Sequence, residues 1–261
     1  MIDLLARATI WARLARALLL FEGRNRDAVI RLALESLVTR KLSREFLGHL
    51  LLRGEGLEIG ALNRPLPLPH GVRVRYVDRF TEEELRRHYP ELDGQRLVPV
   101  HILDDGERLG TVADDSQDFV IANSFIEHCE DPIGSLGHMF RVLRPGGLLY
   151  LGVPDKRYTF DKDRPVTPLE HLLRDHREGP DWSRRAHYEE WVRIVKRISD
   201  PEKATREAER LVALRYSIHF HVWTQEGILE WLVALPRQAG ATYTVVASWF
   251  DGEQVLLMRK T

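Results

Sequence analysis

At 261 residues the chain is long enough for one large domain, or for a core domain with extra segments. A hydrophobic fraction of 44% and a charged fraction of 30% are those of a globular protein and argue against disorder. The 38 basic and 39 acidic residues leave a formal net charge of -1, which argues against a general electrostatic grip on nucleic acid. The single cysteine, Cys129, has no partner for an internal disulfide and no Cys-Xaa-Xaa-Cys beside it, so it reads as a small buried residue.

In chain order, residues 1–50 read as helices. Trp11, Leu14, Leu18 and Phe21 recur at helical spacing, and a second pattern runs through Val29, Leu32, Leu37 and Leu42. The expected role is an N-terminal helical extension packed on the main domain. A basic amphipathic helix that touches a membrane surface or a second copy in a homodimer stays open beside it. Arg13 and Arg16 interrupt the apolar stretch, which falls short of the ~18 residues of a transmembrane span. Its charges lie inside it rather than ahead of it, unlike a signal peptide, so a cytoplasmic protein is expected.

From Gly56 onward the pattern changes. Strands are expected at residues 57–60, 72–77, 98–103, 119–122 and 148–153, with helices at 81–88 and 132–143 among them. Such alternation implies βαβ units and a mainly parallel sheet. A helix is expected over 224–235, with Thr224 as N-cap and Glu226 in its first turn. Strands at 242–250 and 254–258 follow, joined by an Asp251-Gly252 hairpin turn. The fold class is therefore α/β, a doubly wound, mainly parallel seven-stranded Rossmann-like sheet that ends in an antiparallel hairpin. Residues 51–155 and 222–261 form the main domain. The inserted residues 156–221, rich in His, Arg, Asp, Trp and Tyr, read as a substrate-binding lid, because loops beyond the carboxyl ends of strands bind ligands in such folds.

Gly60 ends the first strand, where a residue without Cβ lets the backbone turn close against a ligand. The Gly-Xaa-Gly-Xaa-Xaa-Gly fingerprint is absent, because Leu62 stands where its second glycine would be. Asp78 closes the second strand, about 20 residues beyond the glycine turn, where a carboxylate accepts ribose hydroxyls. Asp104 and Asp105 end the third strand, in reach of an adenine edge. Residues 143–147, Leu-Arg-Pro-Gly-Gly, read as a helix stop and turn.

This ordered set resembles the class I S-adenosylmethionine-dependent methyltransferase family. Its pieces are Glu58-Ile59-Gly60, Tyr76-Val77-Asp78, Asp118-Phe119-Val120-Ile121-Ala122, Ile126-Glu127-His128 and Leu143-Arg144-Pro145-Gly146-Gly147, spread over residues 56–155. The chain is further similar to bacterial methyltransferase-domain proteins associated with glycosyltransferases and surface-polysaccharide biosynthesis. That likeness rests on Ile59-Gly60-Ala61-Leu62-Asn63-Arg64-Pro65, on residues 153–161 and on His219-Phe220-His221-Val222-Trp223-Thr224. The resemblance implies S-adenosylmethionine as cofactor. Glu58, Gly60 and Ala61 would line its methionine side, Asp78 would hold its ribose, Asp104 and Asp105 would sit near its adenine, and Arg79 is a further expected cofactor-binding residue. Asn123 would lie beside its amino-acid end, and Ser124 is expected to bind the cofactor as well. Leu62 replaces a common glycine, and Ser124 stands where relatives often carry a larger polar residue.

With an activated sulfonium donor, the protein mainly aligns the acceptor and removes its proton. A hydroxyl acceptor calls for a His or carboxylate base. The candidates are Asp155, His128, His187, His219 and His221. His219 and His221 alternate as on a strand and would face one side; no metal motif of characteristic spacing accompanies them, and no metal is expected. Arg157, Tyr158, Asp161 and Arg164 are the expected substrate-binding residues, the arginines for an anionic acceptor. Tyr158, Phe160 and Trp182 could stack on a sugar ring, whereas Trp191 and Trp223 are expected in the core. The expected activity is methylation of a small-molecule or glycan acceptor, as O-methylation of a sugar. An N-, lipid- or protein-directed methyltransferase and a non-catalytic binding module are the alternatives. A nicotinamide dehydrogenase is disfavoured by the missing glycines and the terminal hairpin.

Overall fold

The alternating strand and helix signals become one seven-stranded sheet in the computed structural model, which describes residues 44–238 and 240–261. The patterns from Trp11 to Leu42 lie outside the described residues. Two units are present. The described part of the first is residues 44–54 with 66–72; it holds α1 (Arg44–Leu51), which buries Phe46 and Leu47. The Arg53 guanidinium donates to the carbonyls of His49, Leu50 and Leu52 and so satisfies the end of that helix.

The second unit contains the sheet. Its strands are β1 (Glu55–Ile59), β2 (Arg73–Asp78), β3 (Ile102–Leu103), β4 (Gln117–Asn123), β5 (Leu143–Pro154), β6 (Tyr243–Phe250) and β7 (Glu253–Lys260), in the order β3-β2-β1-β4-β5-β7-β6. β1 to β5 are parallel, and β7 slots antiparallel between β5 and β6. Gly252 at φ 75° makes the turn of the terminal hairpin. β1, β4 and β5 are covered on both faces, which is why their sequences are nearly continuous apolar runs rather than alternating ones. Gly56 of β1 has no room for a side chain, since a Cβ there would stand 2.2 Å from the Phe119 carbonyl oxygen.

Two expectations need correction. The third strand is only two residues long, not 98–103: Pro99 has no N–H to give to a ladder, and Val98 donates instead to the Leu62 carbonyl. Residues 143–147 are not a turn ahead of the fifth strand but part of it. They form a bulge in which the register against β4 shifts between Gln117 and Phe119, with Gly146 at φ 80°.

Helices α2 (Glu82–His88), α3 (Pro132–Val142) and α7 (Gln225–Gln238) flank the sheet. A capping box starts α2: the Thr81 hydroxyl accepts from the Glu84 N–H, and the Glu84 carboxylate accepts from the Thr81 N–H. Thr81→Ala is expected to cost about 1 kcal/mol of unfolding free energy, read from urea denaturation. Asp131 caps α3, with Pro132 in its first turn. The inserted segment forms α4 (Leu169–Glu178), α5 (Asp181–Ile194) and α6 (Pro201–Ala213). Leu172 and Leu173 of α4 join the core under the sheet. Tyr188, Val192, Ala208 and Leu211 of α5 and α6 make a smaller core of their own with Ile218 and Phe220. Among the described residues no helix is long and apolar enough to cross a membrane.

Candidate active site

The strand order reverses between β1 and β4, and the crevice at the carboxyl ends of such strands is where this architecture takes ligands. A cavity of about 380 Å³ lies there. Gly60, just past β1, has φ 62° and donates its N–H to the Val77 carbonyl. Leu62 (φ 50°) and Ser124 (φ 45°) are also left-handed and also line the cavity. A leucine there carries strain of roughly 1–2 kcal/mol that a glycine would not, so the loop keeps a left-handed turn despite the missing glycine. Gly106 closes the opposite side of Ile59 and Phe125; a Cβ on it would stand 2.5 Å from Ile59 and 2.8 Å from Phe125.

Asp78 ends β2 and lines the cavity. Its Oδ1 accepts from the Phe80 N–H at 3.2 Å, and burial pushes its carboxyl upward. Arg79 also lines the cavity, but its guanidinium donates to the Arg215 carbonyl at 3.1 Å. The two aspartates after β3 divide their work. Asp104 accepts from the Thr111 N–H and hydroxyl and from the Asp105 N–H, which folds the loop; Asp105 lines the cavity. Glu58, Ala61 and Asn123 do not line the cavity. Glu58 is buried within β1.

The wall fits an adenosine-bearing cation. Apolar Ile59, Leu62, Val77, Leu92 and Phe125 would take the flat base, and Asp78 and Asp105 offer acceptors to hydroxyl and amino groups. Asp78, Glu91, Asp105 and Glu107 against the one cation Arg79 make the lining acidic. Burial first, then repulsion from Asp105 and Glu130, pushes Glu107 up to about 7. A cation in the cavity favours the ionised Glu107. Cofactor affinity is therefore expected to rise with pH through about 7, with proton release on binding below it. Calorimetric titration at pH 6 and pH 8, in buffers of different ionisation enthalpy, measures both.

The same cavity is lined by residues of the inserted segment and its exit: Phe160, Trp191, Tyr216, Ser217 and His219. His219 Nδ1 lies 2.6 Å from Asp161 Oδ2. Asp161 Oδ1 accepts from Arg164 Nη1 at 2.9 Å, and the same guanidinium donates to the His219 carbonyl at 2.8 Å and to Glu190 at 2.8 Å. Arg164 and Asp161 are each 1% exposed, so they hold His219 from behind and do not face the cavity. Burial works to raise the Asp161 carboxyl, but hydrogen bonds and charge from His219 and Arg164 outweigh it and hold it below its usual range. With Nδ1 committed to Asp161, Nε2 of His219 is left as the acceptor.

His128 meets His219 edge to face, with ring centroids 4.6 Å apart, and its Nδ1 lies 2.9 Å from the Ile218 carbonyl. Burial, then the nearby His219, lowers His128 to about 3, so it stays neutral. Behind it Glu127 is buried, and burial pushes its carboxyl up to about 7. The Glu127 carbonyl accepts from the Phe220 and His221 N–H groups and ties that segment to the end of β4.

The remaining candidates fall elsewhere. Asp155 is fully buried and accepts from the Arg157 N–H and guanidinium and from the Gln225 N–H, so it caps α7. Arg157 also pairs with Glu226, and Tyr158 packs against Phe250 and over Gly252, at the hairpin and not at the cavity. His219 and His221 do not share one group, because residues 217–222 are not a strand. His221 lies with His187, His171 and Asp175. Trp223 is core, at 1% exposure, whereas Trp191 lines the cavity as well as packing the insertion. Sequence reasoning passed over Tyr89, Glu107, Phe125, Tyr216 and Ser217. Only Glu107 carried a signal, as the acid directly after Asp105-Gly106.

Residues 59–151 match a family model described as a methyltransferase domain. The chain is a methyltransferase whose cofactor is S-adenosylmethionine. No curated protein matches it. Among solved structures, this methyltransferase is similar to a SAM-dependent methyltransferase of Methanosarcina mazei, at 18% identity over 84% of this chain and 98% of that one, with a TM-score of 0.45. It is also similar to a SAM-dependent methyltransferase of Thermotoga maritima (18% identity, 81% and 84% covered, TM-score 0.42). A Pyrococcus horikoshii protein is similar at 19% identity, with 92% and 93% covered and a TM-score of 0.41.

Proposed function

We propose that this methyltransferase methylates a hydroxyl of a small-molecule or glycan acceptor, with His219 as the general base. The observation that carries the reading is the Asp161–His219 pair at 2.6 Å, placed on the same cavity as Gly60 and Asp78. The bound cofactor supplies an electrophilic methyl group on a sulfonium. Asp78 receives the ribose hydroxyls, Asp105 faces the adenine, Gly60 lets the chain close on the methionine side with Ser124 on the same wall, and Asp104 holds the loop that carries Asp105. Asp161 fixes the ring of His219 so that Nε2 takes the acceptor proton and stabilises the imidazolium that forms. Phe160, Trp191 and Tyr216 offer ring faces of the kind that stack on sugars. Residues 156–221 are then the acceptor domain of a cytoplasmic enzyme of surface-polysaccharide assembly.

Transfer of labelled methyl from S-adenosylmethionine to panels of sugar nucleotides, oligosaccharides, amines and peptides tests this. A methyl ether on a sugar is the expected product. Label confined to amines or peptides would contradict it, and bound cofactor with no transfer to any panel would favour a binding module.

A further inference from the structure

Outside that cavity, three imidazoles and one carboxylate converge. His171 and Asp175 lie one turn apart on α4, so they share a face. His187 comes from α5, and His221 from the segment that leads to the Asp155–Trp223 bridge at the sheet. One ligand atom from each lies within 4.8 Å of every other. The individual separations are 3.0 Å from His171 Nε2 to His187 Nε2, 3.2 Å from His171 Nε2 to Asp175 Oδ2, and 3.6 Å from His221 Nε2 to Asp175 Oδ2. We propose that His171, Asp175, His187 and His221 form a tetrahedral site for a divalent transition metal of the zinc type.

The three separations of 3.0, 3.2 and 3.6 Å bracket that geometry. Bonds of about 2.0–2.1 Å around a tetrahedral zinc set ligand atoms about 3.3 Å apart. Hydrogen bonding alone leaves the group unsettled. Asp175 Oδ2 is buried 3.2 Å from His171 Nε2 and 3.6 Å from His221 Nε2, with no hydrogen bond of good geometry. A cation would settle the converging lone pairs and balance the buried carboxylate in one step. His221 Nε2 also lies 3.3 Å from the Glu130 carbonyl, a contact that the metal would replace. Behind the ligands, the Ser183 hydroxyl donates to Asp175 Oδ1 at 2.8 Å, the outer contact that fixes a metal-binding carboxylate.

Four protein ligands leave no open position, so the role is structural. The metal would join α4 and α5 to the chain that carries His219, two residues before His221, and so hold the base-bearing segment in place. Methyl transfer itself is not routed through it.

The test uses the full chain, free of any purification tag and stripped with a chelator. Titration with Co²⁺ is expected to give about one bound ion per chain with the intense visible bands of tetrahedral coordination, displaced by Zn²⁺, and loading is expected to raise the melting temperature. His187→Asn and Asp175→Asn, with folding checked by circular dichroism, are expected to abolish the bands, whereas His128→Asn keeps them. Failure of the wild-type chain to take up Co²⁺ and Zn²⁺, or weak octahedral bands, would overturn the site. So would uptake lost in His128→Asn but kept in His187→Asn, which would move the metal to the Glu127, His128 and His219 group. The readout is metal uptake, so it stands or falls apart from the identity of the methyl acceptor.

Discussion

A His219→Ala variant is expected to lose about 10²–10⁴-fold in kcat, the span that a positioned general base contributes, with little change in cofactor affinity. The reason lies in what holds the ring. Asp161 and Arg164 are buried and bonded to each other and to His219, so the imidazole has one orientation and one tautomer. Asp161→Asn is expected to share most of the loss, since an amide can donate to Nδ1 and leave the proton on Nε2, the wrong nitrogen for a base. That substitution also leaves the buried Arg164 with Glu190 as its remaining carboxylate, so its folding is checked by thermal melting alongside. Added imidazole is expected to restore part of the activity of His219→Ala and none of that of Asp161→Asn. Unchanged kcat in His219→Ala would move the base elsewhere.

Asp78→Ala is expected to weaken S-adenosylmethionine binding by about 100-fold, or about 3 kcal/mol. Two hydroxyls bonded to one ionised carboxylate are worth about 1.5–3 kcal/mol each, less what water recovers in the variant. Asp78→Asn keeps the size and one acceptor, including the contact to the Phe80 N–H, and is expected to lose less. Calorimetric titration of the three proteins gives the order wild type, Asn, Ala. Equal affinities would mean that the ribose lies elsewhere.

The frame of the molecule was legible because its signals are local. Gly60 and Asp78 sit at strand ends, and Asp251-Gly252 marks a hairpin whose φ at Gly252 few other residues adopt. Central strands announced themselves by apolar runs. What failed depended on partners distant in sequence. Val98 and Val100 look like strand, but Pro99 and the Leu62 carbonyl decide otherwise. Asp155 looks catalytic by position, yet the Gln225 N–H, 70 residues on, makes it a helix cap. His219 and His221 alternate in sequence, but without a partner strand the alternation has no plane to refer to, and Asp161 and Asp175 draw them into separate groups. Arg164 shows the reverse: an arginine expected on the acceptor is buried and donates to the His219 carbonyl. Three helices separate it in sequence from the segment it holds.

The most direct test of the cavity as the cofactor site is hydrogen exchange of the wild-type chain with and without S-adenosylhomocysteine. The expected result is slowed exchange at the amides of residues 60–62, 79–80, 105–107 and 124–125, with residues 156–158 and 251–253 at the hairpin unaffected. Protection concentrated at the hairpin, with the amides around Gly60 and Asp78 unchanged, would contradict it.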